Sequence, residues 1–185
     1  MLNVGVLASG SGTNLQALIN SKCNIVTVVS NKADAYALKR AREAGIDTAV
    51  VPRGDDFEEN ICRHMKAHNV GLIVLAGFLC ILEGEVLREY KDRIINVHPS
   101  LVPSFCGDGF YGLNVHKAAL EYGVKVSGAT VHFVDETVDG GRIILQKSVE
   151  VLDGDTPESL QKRVMEQAEW VILPQAVKLL SEGDL

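Results

Sequence analysis

The sequence predicts an α/β fold: a doubly wound, mostly parallel sheet with an antiparallel C-terminal extension. Three observations carry this. Short β-branched runs alternate with amphipathic segments through the first half of the chain. One run, "VGLIVLAG", is apolar throughout, as a strand covered on both faces must be. After His98 the alternation stops, and "VKVSGATVHFV" and "GGRIILQKSVEV" come next in hairpin order.

The elements read in order. "LNVGVLA", "SGSGTN" and "LQALI" give strand, glycine turn and helix. "NIVTVVS" is a second strand. In "DAYALKRAREAG" Asp34 is the expected N-cap and Gly45 the expected residue just past the helix end. "IDTAVV" is a third strand. "DDFEENICRHMKAHN" is a helix with acids in its first turn, where the helix dipole favours them. "EGEVLREY" is a short helix and "RIINVH" the fifth strand. A loop from Pro99 to Gly112 leads to a helix around Val115–Tyr122. Thr156 caps the long closing helix, Pro157 opens it, and Pro174 is expected to kink or divide it.

With 185 residues and no repeat or linker, a single domain over 1–185 is expected, with a phosphate-binding half (1–100) and a second half (101–185) carrying the closing helix. The net charge of −6 gives no general attraction to nucleic acid or to an anionic membrane. Val4–Ala8 is too short for a signal core or a membrane span. Cys23, Cys62, Cys80 and Cys106 form no CxxC pair, so they read as reduced thiols of a cytoplasmic protein rather than zinc ligands.

Two places carry chemistry. In "ASGSGTN", Gly10 and Gly12 allow a tight turn that presents the N–H groups of Gly12, Thr13 and Asn14 at a helix N-terminus, a phosphate site. Leu15 stands where a dinucleotide fingerprint wants glycine, the second strand ends without an acid, and the Walker lysine is missing. A phosphomonoester fits better than NAD or ATP. In "IINVHPSLVPSF", Asn96 and His98 alternate along a strand and leave on one face, at the carboxyl end where ligands gather in such sheets. An amide donor beside a titratable imidazole suits an oxyanion and a moving proton. In "HFVDETVDGGRI", Asp135, Glu136 and Asp139 all lie where one carboxylate can orient His98, and the residues alone do not choose among them.

These segments, together with "VSNKADAYALKRAREAGI", "VLAGFLCIL" and "GATVHFVDETVDGGRIILQ", resemble the glycinamide ribonucleotide formyltransferases, end to end. The resemblance implies their Rossmann-like formyltransferase fold. It also implies formyl transfer from 10-formyltetrahydrofolate, a co-substrate, to the amine of 5-phosphoribosylglycinamide in de novo purine biosynthesis, without metal. It makes Asn96, His98 and Asp139 catalytic and gives Gly12, Thr13 and Asn14 to the substrate phosphate. Glu169 goes to the substrate's glycinamide and ribose end. Leu79, Cys80, Ile81, Leu82, Asp135 and Glu136 go to the folate. It implies small-molecule partners, a monomer or homodimer, and a cytoplasmic location. Cys80 stands where family members often have Arg. The segment "SFCGDGFYGLNVH" is several residues longer than usual, with Cys106 where Pro is frequent. A formyl-folate hydrolase, another formyltransferase on the same fold, a dinucleotide-dependent oxidoreductase and a non-catalytic nucleotide-binding protein are the competing readings.

Overall fold

The computed structural model describes residues 2–183. Its strands are β1 (Val4–Leu7), β2 (Ile25–Ser30), β3 (Asp47–Val50), β4 (Leu72–Leu75), β5 (Ile94–His98), β6 (Val126–Phe133) and β7 (Ile143–Glu150). Its helices are α1 (Thr13–Asn20), α2 (Tyr36–Glu43), α3 (Phe57–Ala67), α4 (Glu85–Glu89), α5 (Leu113–Tyr122), α6 (Pro157–Val164) and α7 (Trp170–Glu182). The strands form one sheet in the order β3-β2-β1-β4-β5-β6-β7. β1 to β5 pair in parallel, and β6 and β7 are antiparallel to their predecessors, as the sequence predicts.

Both faces are covered. On one, Val4, Val6, Val74, Ile95 and Val97 pack against Leu15 and Leu18 of α1 and Ile172 and Leu173 of α7. On the other, Leu7, Val29, Ile73 and Ile94 pack against Ile61 and Met65 of α3 and Val86 and Leu87 of α4. Truncating one such side chain to alanine costs about 2–5 kcal/mol. Alternation along β5 fixes where its polar side chains point. Ile95 and Val97 face the first core and Ile94 the second, so Asn96 and His98 share the side of Ile94. That face turns from apolar to polar as β5 nears its carboxyl end.

Glu58 on α3 reaches across to α4. Its carboxylate accepts from the N–H groups of Glu83 (2.8 Å) and Val86 (3.1 Å), capping the short helix and anchoring the segment after β4. Thr156 caps α6 in a reciprocal pair with Ser159, with Pro157 first in the helix. Gly45, at φ 73, lies just past α2 as expected.

One expectation fails, and one of the two outcomes expected at Pro174 does not occur. Asp34 does not cap α2: the helix starts at Tyr36, and its N-cap is Ala35, without a side-chain bond. The cause is close packing, since the Ala37 N–H is taken by the Gly10 carbonyl at 3.0 Å. Pro174 does not divide the last helix; it sits inside α7. The irregularity lies before it, in a five-residue π turn at Met165–Glu169 that joins α6 to α7.

Candidate active site

β5 pairs with β6 so that Asn96 lies opposite His132 and His98 opposite Thr130. The loop after β6 returns over this face and brings Asp139 to all three polar side chains. Asp139 Oδ2 lies 3.4 Å from His98 Nδ1. Its Oδ1 lies 3.5 Å from Asn96 Nδ2 and 3.7 Å from His132 Nε2. Of the acids left open by the residues alone, Asp139 is the one that meets His98. Asp135 and Glu136 are exposed, and Asp135 accepts from the Thr137 N–H at 2.8 Å in a turn of its own. Asp139 holds a left-handed backbone, φ 55, which a short polar side chain tolerates. Gly141 makes the return possible. A Cβ there would stand 1.8 Å from the Phe133 carbonyl oxygen.

His132 sets the amide of Asn96. Its Nδ1 faces the Phe133 carbonyl at 2.8 Å, and a carbonyl only accepts, so Nδ1 carries the proton. Nε2 then accepts from Asn96 Nδ2 at 3.2 Å. The second amide hydrogen faces Asp139 at the longer 3.5 Å and is the one a ligand oxygen can claim.

His98 is buried, at 4% exposure. Its Nε2 donates to the Phe105 carbonyl at 2.9 Å, so both ring nitrogens face oxygen acceptors. That geometry suits an imidazolium. Burial opposes it and pulls the pKa below the ordinary histidine value, with Asp139 and the Phe105 carbonyl resisting. For Asp139, burial pushes the carboxyl up. His132 when its ring is charged, the Gly107 N–H at 2.9 Å and His98 outweigh burial and leave it below the usual carboxylate range. The loop that supplies Phe105 and Gly107 joins β5 to α5. Phe105 takes φ 49, a costly conformation for a bulky residue, with its ring set against Phe110 and Tyr122.

The glycine turn forms as expected, with one difference. Gly12 has φ 69, and a Cβ there would lie 2.7 Å from the Ala37 Cα. Gly10 has open space around it and needs no glycine on that ground. No side chain caps α1, so its first N–H groups stay available to an anion. Arg40 donates to the Ser11 carbonyl at 2.8 Å and steadies the turn. Thr13 is partly exposed, but Asn14 is buried and donates to Glu169 Oε2 at 2.7 Å. That bond leaves only the backbone of Asn14 to meet an anion. Burial raises the Glu169 pKa to about 7, against the Asn14 bond, which lowers it.

Ser9 joins this turn to the loop after β4, at the point where the strand order reverses. Its N–H donates to the Gly77 carbonyl (3.0 Å), and its hydroxyl accepts from the Leu79 N–H (3.0 Å) and donates to Asn31 (2.7 Å). Beyond it, exposure alternates. Leu79 and Ile81 are 57% and 54% exposed, while Cys80 and Leu82 are buried. Leu79 and Ile81 thus offer an apolar surface at the end of β4, beside β5, which suits a flat heteroaromatic ligand. Cys80 and Leu82 have only backbone to offer one.

Sequence reasoning missed His132, Ser9, Phe105 and Gly107. The alternation in "ATVHFV" could have found His132, which sits on the face that meets Asn96. Phe105 and Gly107 act through main-chain groups and leave no such signal.

The chain matches a formyl transferase family model over residues 2–177. It is 46% identical over 193 residues to the trifunctional purine biosynthetic protein adenosine-3 of Gallus gallus, covering 98% of this chain but only 19% of that protein. The chain therefore spans about a fifth of the length of that relative. It is 40% identical over 196 residues to phosphoribosylglycinamide formyltransferase of Haemophilus influenzae, covering 100% of this chain and 90% of the relative. The crystal structure of glycinamide ribonucleotide transformylase 1 from Symbiobacterium toebii superposes with a TM-score of 0.91 at 43% identity, covering 99% of this chain and 89% of that one. The chain belongs to the formyl transferase family.

Proposed function

We propose that the chain transfers the formyl group of 10-formyltetrahydrofolate to the amine of 5-phosphoribosylglycinamide, a step of de novo purine biosynthesis. The observation that carries this is the meeting of Asn96, His98 and Asp139 at the end of β5, in a chain that aligns over 90% of a relative called phosphoribosylglycinamide formyltransferase. The substrate phosphate sits on the N–H groups of Gly12, Thr13 and Asn14. Glu169 faces the glycinamide and ribose end from behind Asn14. The folate lies along Leu79–Leu82, under the loop that carries Asp135 and Glu136.

The folate supplies the formyl carbon that the uncharged substrate amine attacks. Asn96 donates its weakly held hydrogen to the formyl oxygen as negative charge develops there. His98 does the same from Nε2, exchanging the Phe105 carbonyl for the more strongly accepting oxyanion. That exchange requires the Phe105–Gly112 loop to shift. Asp139 supports the charged ring and, through a water, moves a proton from the attacking nitrogen to the departing one. His132 is a positioning residue, holding the Asn96 amide in orientation.

The assay with both substrates, each omitted in turn, tests this reading. Folate product should form only when both are present. Formate release without the amine would make the chain a hydrolase instead, and no turnover with either would make it a binding protein. Small-molecule partners, a cytoplasmic location and a monomer or homodimer go with this reading; sedimentation decides the last. Among the described residues no helix is long and apolar enough to cross a membrane.

A further inference from the structure

We propose that Asp47, His64 and His68 form a binding site for one divalent transition ion of the Zn²⁺ class, apart from the formyl-transfer site. Asp47 opens β3, the edge strand, at the amino ends of the parallel strands. The formyl-transfer groups lie at the carboxyl ends. His64 and His68 stand one helical turn apart at the end of α3, the spacing that puts two imidazoles on one face. One ligand atom from each of the three residues lies within 4.8 Å of the others. The two rings are 4.4 Å apart between centroids.

The supporting bonds match those of metal-bound imidazoles, whose second nitrogen is held by an outer group. His68 Nδ1 donates to the His64 carbonyl at 2.9 Å, which turns Nε2 toward Asp47 Oδ2, also at 2.9 Å. A nitrogen lone pair and a carboxylate oxygen at that separation call for a cation between or beside them. A proton would satisfy the pair alone. The third group argues for a larger cation. His64 is fixed by Thr27, whose fully buried hydroxyl lies 2.8 Å from Nε2.

Two imidazoles and one carboxylate suit Zn²⁺, Co²⁺, Ni²⁺ or Cu²⁺ and not Mg²⁺ or Ca²⁺, which take oxygen ligands. Three protein ligands leave a position for water. Asp47 is exposed and both histidines are half-buried, which gives an ion and its water a way in. The ion would tie the edge strand to α3.

The test uses the full chain, freed of metal by chelator and dialysis, with Co²⁺ as a spectroscopic probe and Zn²⁺ in calorimetric titration. Wild type should bind one equivalent, show visible ligand-field bands with Co²⁺, and gain melting temperature with Zn²⁺. His64→Gln with His68→Gln should abolish all three. Asp47→Asn, at an exposed carboxylate whose loss does not threaten the fold, should weaken binding. Thr27→Val should weaken it about 10–100-fold by releasing the His64 ring. Formyl transfer should be unchanged in every variant. Two results overturn the proposal: no binding to wild type, which leaves Asp47 and His68 as a simple ion pair, or binding that survives both Asp47→Asn and the double histidine change.

Discussion

His98 Nδ1 and Asp139 Oδ2 stand 3.4 Å apart although they come from different ends of the sheet connection: His98 ends β5, and Asp139 sits in the loop between β6 and β7. The contact forms because β6 pairs antiparallel to β5 and the loop after it folds back over the polar end of one face. Replacing His98 with alanine removes the proposed oxyanion donor without disturbing either core. Turnover should fall about 10²–10³-fold, with an unchanged circular dichroism spectrum. Near-normal turnover in the folded variant would remove His98 from the chemistry.

Asp139→Asn keeps a side chain that tolerates a left-handed backbone. It removes the charge that supports the imidazolium. Turnover should drop, and the limb of the pH–rate profile that reports His98 should move to lower pH, because burial would then be opposed only by the Phe105 carbonyl. A profile that superposes on wild type would reduce Asp139 to a turn residue.

Glu169 makes stability depend on pH in an uncommon direction. Its folded pKa is raised from 4.5 to about 7 by burial. A raised pKa means the folded state binds the proton more tightly. Stability from this group is therefore complete below its unfolded pKa and lost as pH rises through the folded value. The shift corresponds to roughly 3 kcal/mol at most. Urea midpoints measured across pH 4 to pH 8 should decline for wild type, and Glu169→Gln should flatten that decline. Equal slopes for the two proteins would mean that Glu169 is not the group responsible.

Gly12→Ala places a methyl group against Ala37 in a left-handed backbone. The turn must open, and the N–H groups of α1 lose their aim. The Michaelis constant for the phosphorylated amine should rise at least several-fold, with a smaller effect on the constant for the folate. Equal losses for both substrates would point to general unfolding, which a melting curve would reveal.

His132→Phe keeps the bulk of the ring but frees the Asn96 amide to rotate. Turnover should fall while the binding of both substrates is retained. His132→Gln, which can still accept from Asn96, should recover part of the loss. No difference between Phe and Gln would mean that His132 serves packing alone.

The sheet, its parallel and antiparallel parts, and the shared face of Asn96 and His98 were legible because side-chain alternation on a strand is a local rule. Gly45 and Thr156 were legible for the same reason, each doing its work within one helix end. Asp34 was misread because α2 is positioned from outside, by the Gly10 carbonyl and the packing of Ala37 on Gly12. Pro174 leaves α7 undivided, and the helix carries its π turn ahead of the proline, where Glu169 turns inward to Asn14. What could not be read at all were main-chain partners. Any residue type carries a carbonyl or an N–H, so nothing in the letters marks Phe105 or Gly107 as neighbours of His98 and Asp139.

If His98 Nε2 serves the oxyanion as proposed, its bond to the Phe105 carbonyl means that the protein carries its own competitor for that position. An inhibitor that imitates the charged intermediate has to evict a tethered rival before it can dock. Its measured affinity is its intrinsic affinity scaled down by the fraction of molecules in which the rival has stepped aside. Shortening the segment from Cys106 to Gly112 would raise that fraction and tighten such compounds, even though the deleted residues never touch them.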